Sequence, residues 1–168
     1  SDAGFEWLVV DLEHSAITLR EAEELIRVVD LKGLPALVRL SSNDPVLIKR
    51  VLDAGARGII VPQVENAAQA LKIVEAMRYP QLKDSKYPNP AGRRGCGCSG
   101  GSGWGLQNPA DYVRLADPWP LNPDGELINW TIVESREGLA HVREIAAVPG
   151  IGVLWPGAGT LRRVFSST

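Results

Sequence analysis

Three ionisable residues crowd the end of one apolar run. Residues 7 to 10 read WLVV, and Asp11, Glu13 and His14 follow within four positions. An imidazole can take and return a proton near neutrality. Asp11 and Glu13 share one face if the strand continues, because strand side chains alternate. Burying such a carboxylate is costly unless it is paired or ligates a metal. The alternative is that the strand stops at Asp11 and the polar residues face water. Polar residues also close the later apolar runs: Arg39 near the end of PALVRL, Gln63 after GIIVP, Glu134 after LINWTIV and the PGAGT turn after IGVLW. Ligands bind at the carboxyl ends of parallel strands, so these positions predict one shared site.

The elements that must position them alternate. WLVV reads as a strand covered on both faces. Thr18 and Glu21 form a capping-box pattern, and Leu19, Ala22, Leu25, Ile26 and Val29 keep helical spacing up to Gly33. Residues 35–40 read as a second strand. Asp44-Pro45 opens a helix over 46–54 that ends at Gly55, and 58–62 is a third strand. A helix over 66–78 follows. From 79 to 108 proline, glycine, serine and lysine dominate and no period holds. A short helix to 116, a loop over 117–125, a strand over 127–133, a helix over about 137–147 and a strand over 151–155 complete the order. PGAGT then leads into a helical stretch that soon stops. Five strands alternating with helices predict a parallel α/β architecture, either a doubly wound sheet or most of an eight-fold barrel.

The chain has 168 residues, 45% of them hydrophobic and 23% charged, as in an ordinary soluble domain or part of a larger one. A net charge of −2 gives no reason to expect a nucleic-acid partner or an anionic membrane surface. No run is apolar enough to cross a membrane, and no secretory signal opens the chain, so a cytoplasmic setting is expected. Cys96 and Cys98 stand one residue apart, which strains a disulfide and supplies too few ligands for zinc. GCGCSG (95–100) has the spacing of a dinucleotide loop but lacks the strand before it and the helix after it, so a mobile flap is the expectation. Arg93-Arg94 could hold an anion or lie solvated.

WLVVDLEHS, VRL, IKRVLDAGARGIIVPQVENAAQA, MRYP with GRRGCG, and VESREGLAHVREIAAVPGI together resemble the HpcH/HpaI aldolase family, over about Gly4 to Ile151. The resemblance implies a class II pyruvate aldolase on a (β/α)8 TIM barrel, related to the citrate-lyase β-subunit group. It implies a divalent cation, Mg²⁺ or Mn²⁺, that binds a 2-keto acid and acts as a Lewis acid on its enolate, with an aldehyde as second partner. Glu134 matches the family's glutamate ligand. Arg39 matches the arginine on the keto oxygen, and His14 the acid–base histidine, working through a water and oriented by an aspartate matching Asp53. Asp11 and Glu13 match the acidic pair beside the metal, with Gln63, Gly157, Ala158 and Gly159 placed on the substrate. A CoA-ester lyase and a non-catalytic keto-acid-binding or assembly barrel are the rival readings.

Two departures qualify the match. The family's GPxDL turn supplies a second aspartate ligand, whereas GAGTL (157–161) puts Thr160 there, and a hydroxyl is a poorer ligand for a hard cation. GGSGWG replaces an arginine-bearing segment after the glycine loop. About five βα units cannot close an eight-stranded barrel. A single partial-barrel domain over 1–168, with further chain or another subunit of a homo-oligomer supplying the missing wall, is therefore the expectation.

Overall fold

The structure is a computed structural model and describes residues 3–97 and 104–167. Its strands are β1 (Leu8–Asp11), β2 (Ala36–Arg39), β3 (Gly58–Val61), β4 (Pro118–Trp119), β5 (Leu127–Val133) and β6 (Val153–Pro156). The helices are α1 (Leu19–Leu31), α2 (Pro45–Asp53), α3 (Ala67–Met77), α4 (Pro109–Leu115), α5 (Arg136–Ala140), α6 (Val142–Ala146) and α7 (Ala158–Ser166). All strand pairs are parallel, in the order β1-β2-β3-β5. On its other edge β5 pairs first with β4 and then with β6. β1 pairs only with β2 and β6 only with β5, so the sheet is open among the described residues. Every strand but β4 was expected. Residues 117–125 read as loop because a two-residue strand has no period to detect. The helix expected over 137–147 is divided at His141, and α7 runs on to Ser166.

Local chemistry explains most boundaries. The Asp44, Asn66 and Asn108 side chains accept backbone N–H bonds at the starts of α2, α3 and α4, and Pro45 and Pro109 open their first turns. Gly33 and Gly55 take positive φ where α1 and α2 end. At α1 the capping box is complete: Thr18 Oγ1 accepts from Glu21 N at 3.3 Å, and Glu21 Oε2 accepts from Thr18 N at 2.7 Å. Replacing Thr18 with alanine should cost about 1 kcal/mol. Hydrogen bonds from the Thr18 backbone and side chain hold the Glu21 carboxyl below its usual range. A depressed folded-state pKa gives stability that is present above the unfolded value and lost as pH falls through the folded one. The Thr18→Ala penalty, read from denaturant midpoints, should therefore shrink on acidification; a penalty constant from pH 7 to pH 3 would exclude this coupling.

The core lies between the sheet and the helices: Val10, Val38, Leu40, Ile59, Val61 and Val133 point into it and meet Ala22, Ile26, Ile48, Val51 and Ile73. The opposite face is thinner, with Leu37, Ile60 and Ile132 packed against Trp130. Trp130 stacks at an angle against Trp7 (5.8 Å between ring centroids) and Trp155 (5.4 Å). β1 is not covered on both faces: Val10 is buried, but Trp7, Leu8 and Val9 are exposed by about a third or more. An edge strand has a neighbour on one side only.

Two buried arginines tie the long loop down. Arg78, fully buried, donates to both oxygens of Asp117 (2.6 and 2.9 Å), to Pro90 O (2.6 Å) and to Tyr87 O (2.9 Å). Arg94 donates to Asp53 Oδ1 from Nε and Nη2 (3.1 and 2.8 Å) and to the Tyr112 hydroxyl (2.8 Å), with its guanidinium over the Tyr79 ring. Burial opposes the charge on Arg94, but its neighbours Tyr112 and Tyr79 and the Asp53 hydrogen bond outweigh it and raise its pKa. The backbone N–H of Arg94 reaches Arg78 O at 2.8 Å, and that of Arg93 reaches Glu75 O at 2.7 Å.

Candidate active site

The strand ends carry two groups of polar side chains. The first is built on β1 and β2, whose register places Asp11 beside Arg39. Asp11 Oδ1 accepts the backbone N–H of Glu13 (2.8 Å) and of His14 (3.1 Å), and Ser15 Oγ donates to Asp11 O. This turn folds Glu13 and His14 back towards Arg39. Arg39 Nη2 lies 2.6 Å from Glu13 Oε2 and 3.3 Å from His14 Nε2, while Nη1 stands 3.9 Å from Asp11 Oδ2. Glu13 Oε2 is 3.6 Å from His14 Nε2. The Glu13 and Arg39 side chains are mostly shielded, and the His14 ring faces solvent.

The second group is built on β3, β5 and the turn after β6. Glu134 is 7% exposed and accepts the Gln63 backbone N–H on Oε1 at 3.0 Å. Gln63 achieves this with φ of +54°, the one positive φ outside glycine among the described residues. Gly157 packs directly on Glu134, where an added Cβ would sit 2.5 Å from Glu134 Cβ and 3.0 Å from Oε2. Glu134 Oε2 has no hydrogen-bond donor or ion pair among the described residues. Among the described residues no hydrogen bond or ion pair joins the two groups.

Among the described residues no hydrogen bond joins Asp53, expected to orient His14 directly or through one water, to the His14 ring. Asp53 is the last residue of α2, which runs back towards the amino ends of the strands, whereas His14 follows the carboxyl end of β1. Its carboxylate is instead taken by Arg94. Arg94 is itself neither solvated nor open to an anion, being 1% exposed, and Arg93 pairs with Glu75 at 2.8 Å. Nothing in the Arg93-Arg94 dipeptide separates the buried member from the exposed one; only the tyrosines at 79 and 112, brought in by folding, do that. Ala158, Gly159 and Thr160 form the exposed first turn of α7, which has no side-chain cap. Gln63 faces solvent, and its backbone rather than its side chain contacts Glu134. Cys96 is exposed; Cys98 and the rest of the glycine loop to 103 lie outside the described residues.

Among the described residues no three His, Cys, Asp or Glu side chains converge as ligands. A buried carboxylate with one oxygen unpaired nevertheless fits a hydrated hard cation, since Mg²⁺ is commonly held by one or two carboxylates plus water and substrate oxygens.

A parallel βα sheet with its polar residues gathered at the carboxyl ends of the strands is an α/β architecture of the barrel or doubly wound class. Residues 1–163 match the model of the HpcH/HpaI aldolase/citrate lyase family, and the chain belongs to that family. It is 35% identical over 167 residues to 2-dehydro-3,6-dideoxy-6-sulfogluconate aldolase of Pseudomonas putida, covering 96% of this chain and 57% of that one. It is 33% identical over 162 residues to a hydroxypyruvate/pyruvate aldolase of Paraburkholderia phytofirmans, covering 95% and 57%. The crystal structure of an HpcH/HpaI aldolase from Desulfitobacterium hafniense superposes with a TM-score of 0.80 at 28% identity, covering 98% of this chain and 57% of that one. The chain thus spans a little over half the length of these relatives. The six strands form an open part of their barrel fold. No helix among the described residues is long and apolar enough to cross a membrane.

Proposed function

We propose that the protein is a pyruvate-type aldolase, making or breaking a C–C bond next to the enolate of a 2-keto acid, with an aldehyde as the other partner. The observation that carries this reading is Arg39 held against Glu13 and His14 at the same strand ends as the buried Glu134, whose Oε1 takes the Gln63 N–H. In this reading Arg39 grips the keto oxygen and His14 moves the proton. Asp11 and Glu13 hold Arg39 and the turn, and Asp53 acts on the Arg94 side of the fold. The free N–H groups at the start of α7, at Ala158 and Gly159 beside Gly157, suit the substrate carboxylate. Glu134, steadied by Gln63 N–H and Gly157, would hold Mg²⁺ or Mn²⁺. When bound, that cation supplies Lewis-acid stabilisation of the enolate. A cytoplasmic homo-oligomer completes the reading. The bare β1 and β6 edges and the half-exposed Trp7, Val9 and Trp155 support a wall supplied by further chain or another subunit.

Burial of Arg94 and pairing of Arg93 disfavour the CoA-ester lyase, which needs a basic groove. An exposed Thr160 in place of a carboxylate favours the non-catalytic barrel. Release of pyruvate from 4-hydroxy-2-oxo acids, assayed with and without Mg²⁺, separates the cases. Glu134→Gln should abolish divalent-cation binding in calorimetry, and Thr160→Asp should tighten it relative to wild type. No pyruvate release, together with no cation binding to wild type or Thr160→Asp, would establish the non-catalytic barrel instead.

A further inference from the structure

One contact in the first group constrains where a proton can sit. Arg39 Nη2 lies 3.3 Å from His14 Nε2. A guanidinium has N–H donors and no acceptor. Nε2 is therefore the lone-pair nitrogen, and neutral His14 carries its proton on Nδ1. Glu13 Oε2 stands 2.6 Å from the same Nη2 and 3.6 Å from Nε2, so a base, a cation and a carboxylate share one corner.

We propose that Glu13 is a positioning residue through which proton uptake by His14 releases Arg39 to the forming enolate. The chemistry of this step rests on the aldolase reading; the arrangement that permits it belongs to the free protein. A C–H bond on the carbon beside the keto group breaks, its electron pair becomes the enolate C=C bond, and the keto π pair moves to oxygen. The proton bonds to His14 Nε2, directly or through a water. Nε2 can no longer accept from Arg39, whose N–H is freed as negative charge reaches the keto oxygen. The new Nε2–H turns to Glu13, whose carboxylate faces both cations. Returning the proton to carbon restores the first arrangement. Among the described residues the charged groups beside the ring are Glu13 from the β1 turn and Arg39 from β2; Asp11 Oδ1 fixes the backbone N–H of both Glu13 and His14.

The protein has two histidines, so the ¹⁵N shifts of their rings can be assigned with His141→Gln. Neutral His14 should carry its proton on Nδ1 in the wild type and become a tautomer mixture in Arg39→Gln. Deuterium exchange into the methyl group of pyruvate reads the step itself. Glu13→Gln should lower its kcat by about 10–100-fold with KM little changed, the range for removing a group that orients a site. Glu13→Asp should recover part of the loss. A wild type with the Nε2–H tautomer that still exchanges pyruvate overturns the proposal and leaves the aldolase reading standing. A loss confined to KM does the same. The Nδ1–H tautomer without any exchange, with or without Mg²⁺, overturns both.

Discussion

Replacing His14 with alanine should lower the rate of pyruvate-forming cleavage by about 10²–10⁴-fold, the usual loss on removing a general acid–base group. The ring is the one titratable base in the first group that is neither committed to capping a turn nor in a close ion pair. Asp11 Oδ1 caps the turn, and Glu13 lies 2.6 Å from Arg39. The ring also faces solvent, so a proton taken from substrate can leave. Arg39→Lys should fall in the same direction, because a point charge cannot meet Glu13, His14 and a keto oxygen with the geometry of a planar fork. Steady-state rates for both variants decide the assignment. A His14→Ala protein within a factor of about three of wild type would remove it from the chemistry, since the expected effect is at least tenfold larger.

Replacing Asp117 with alanine should destabilise the fold by about 3–5 kcal/mol, the cost of leaving half of a buried ion pair behind. Arg78 has no exposed surface, and Asp117 is 5% exposed. Without the carboxylate, the guanidinium would keep Pro90 O and Tyr87 O as its acceptors among the described residues. Against the roughly 5–15 kcal/mol of an ordinary domain, such a loss is a large fraction of total stability. Asp117→Asn, which keeps one acceptor but not the charge, should fall between. Denaturant midpoints measure the series. A change under about 1 kcal/mol for Asp117→Ala would mean that the pair adds little beyond an exposed one.

What could be read in the sequence was what neighbours in the chain settle. Thr18 with Glu21, Asp44-Pro45 and Asn108-Pro109 mark helix starts through bonds a few residues long, and each is where expected. The strand ends carrying Asp11, Arg39 and Glu134 followed from apolar runs of strand length. What could not be read depends on distant partners. Asp53 was expected at His14, but the return direction of α2 and the arrival of Arg94, 41 residues later, decide its contact. Trp119 was taken for loop because β5, eight residues on, is what makes it a strand. The positive φ of Gln63 leaves no compositional trace, since a glutamine gives no sign that its backbone will aim at a carboxylate across the sheet.

The meeting of Arg94 N–H with Arg78 O has an evolutionary consequence. It makes residues 79–93 an excursion whose two ends are already adjacent. Changing the length of such a loop moves no strand, and doubling it adds only about 0.6 kcal/mol of closure entropy. Descendants of a common ancestor can therefore lengthen, shorten or rewrite the exposed part of this excursion, about residues 82–86, while Tyr79, Tyr87 O and Pro90 O keep their places on the two arginines and the register that holds Asp11, Arg39 and Glu134 stays untouched. The two arginines, and the Asp117 and Asp53 that receive them, are the part such drift cannot reach.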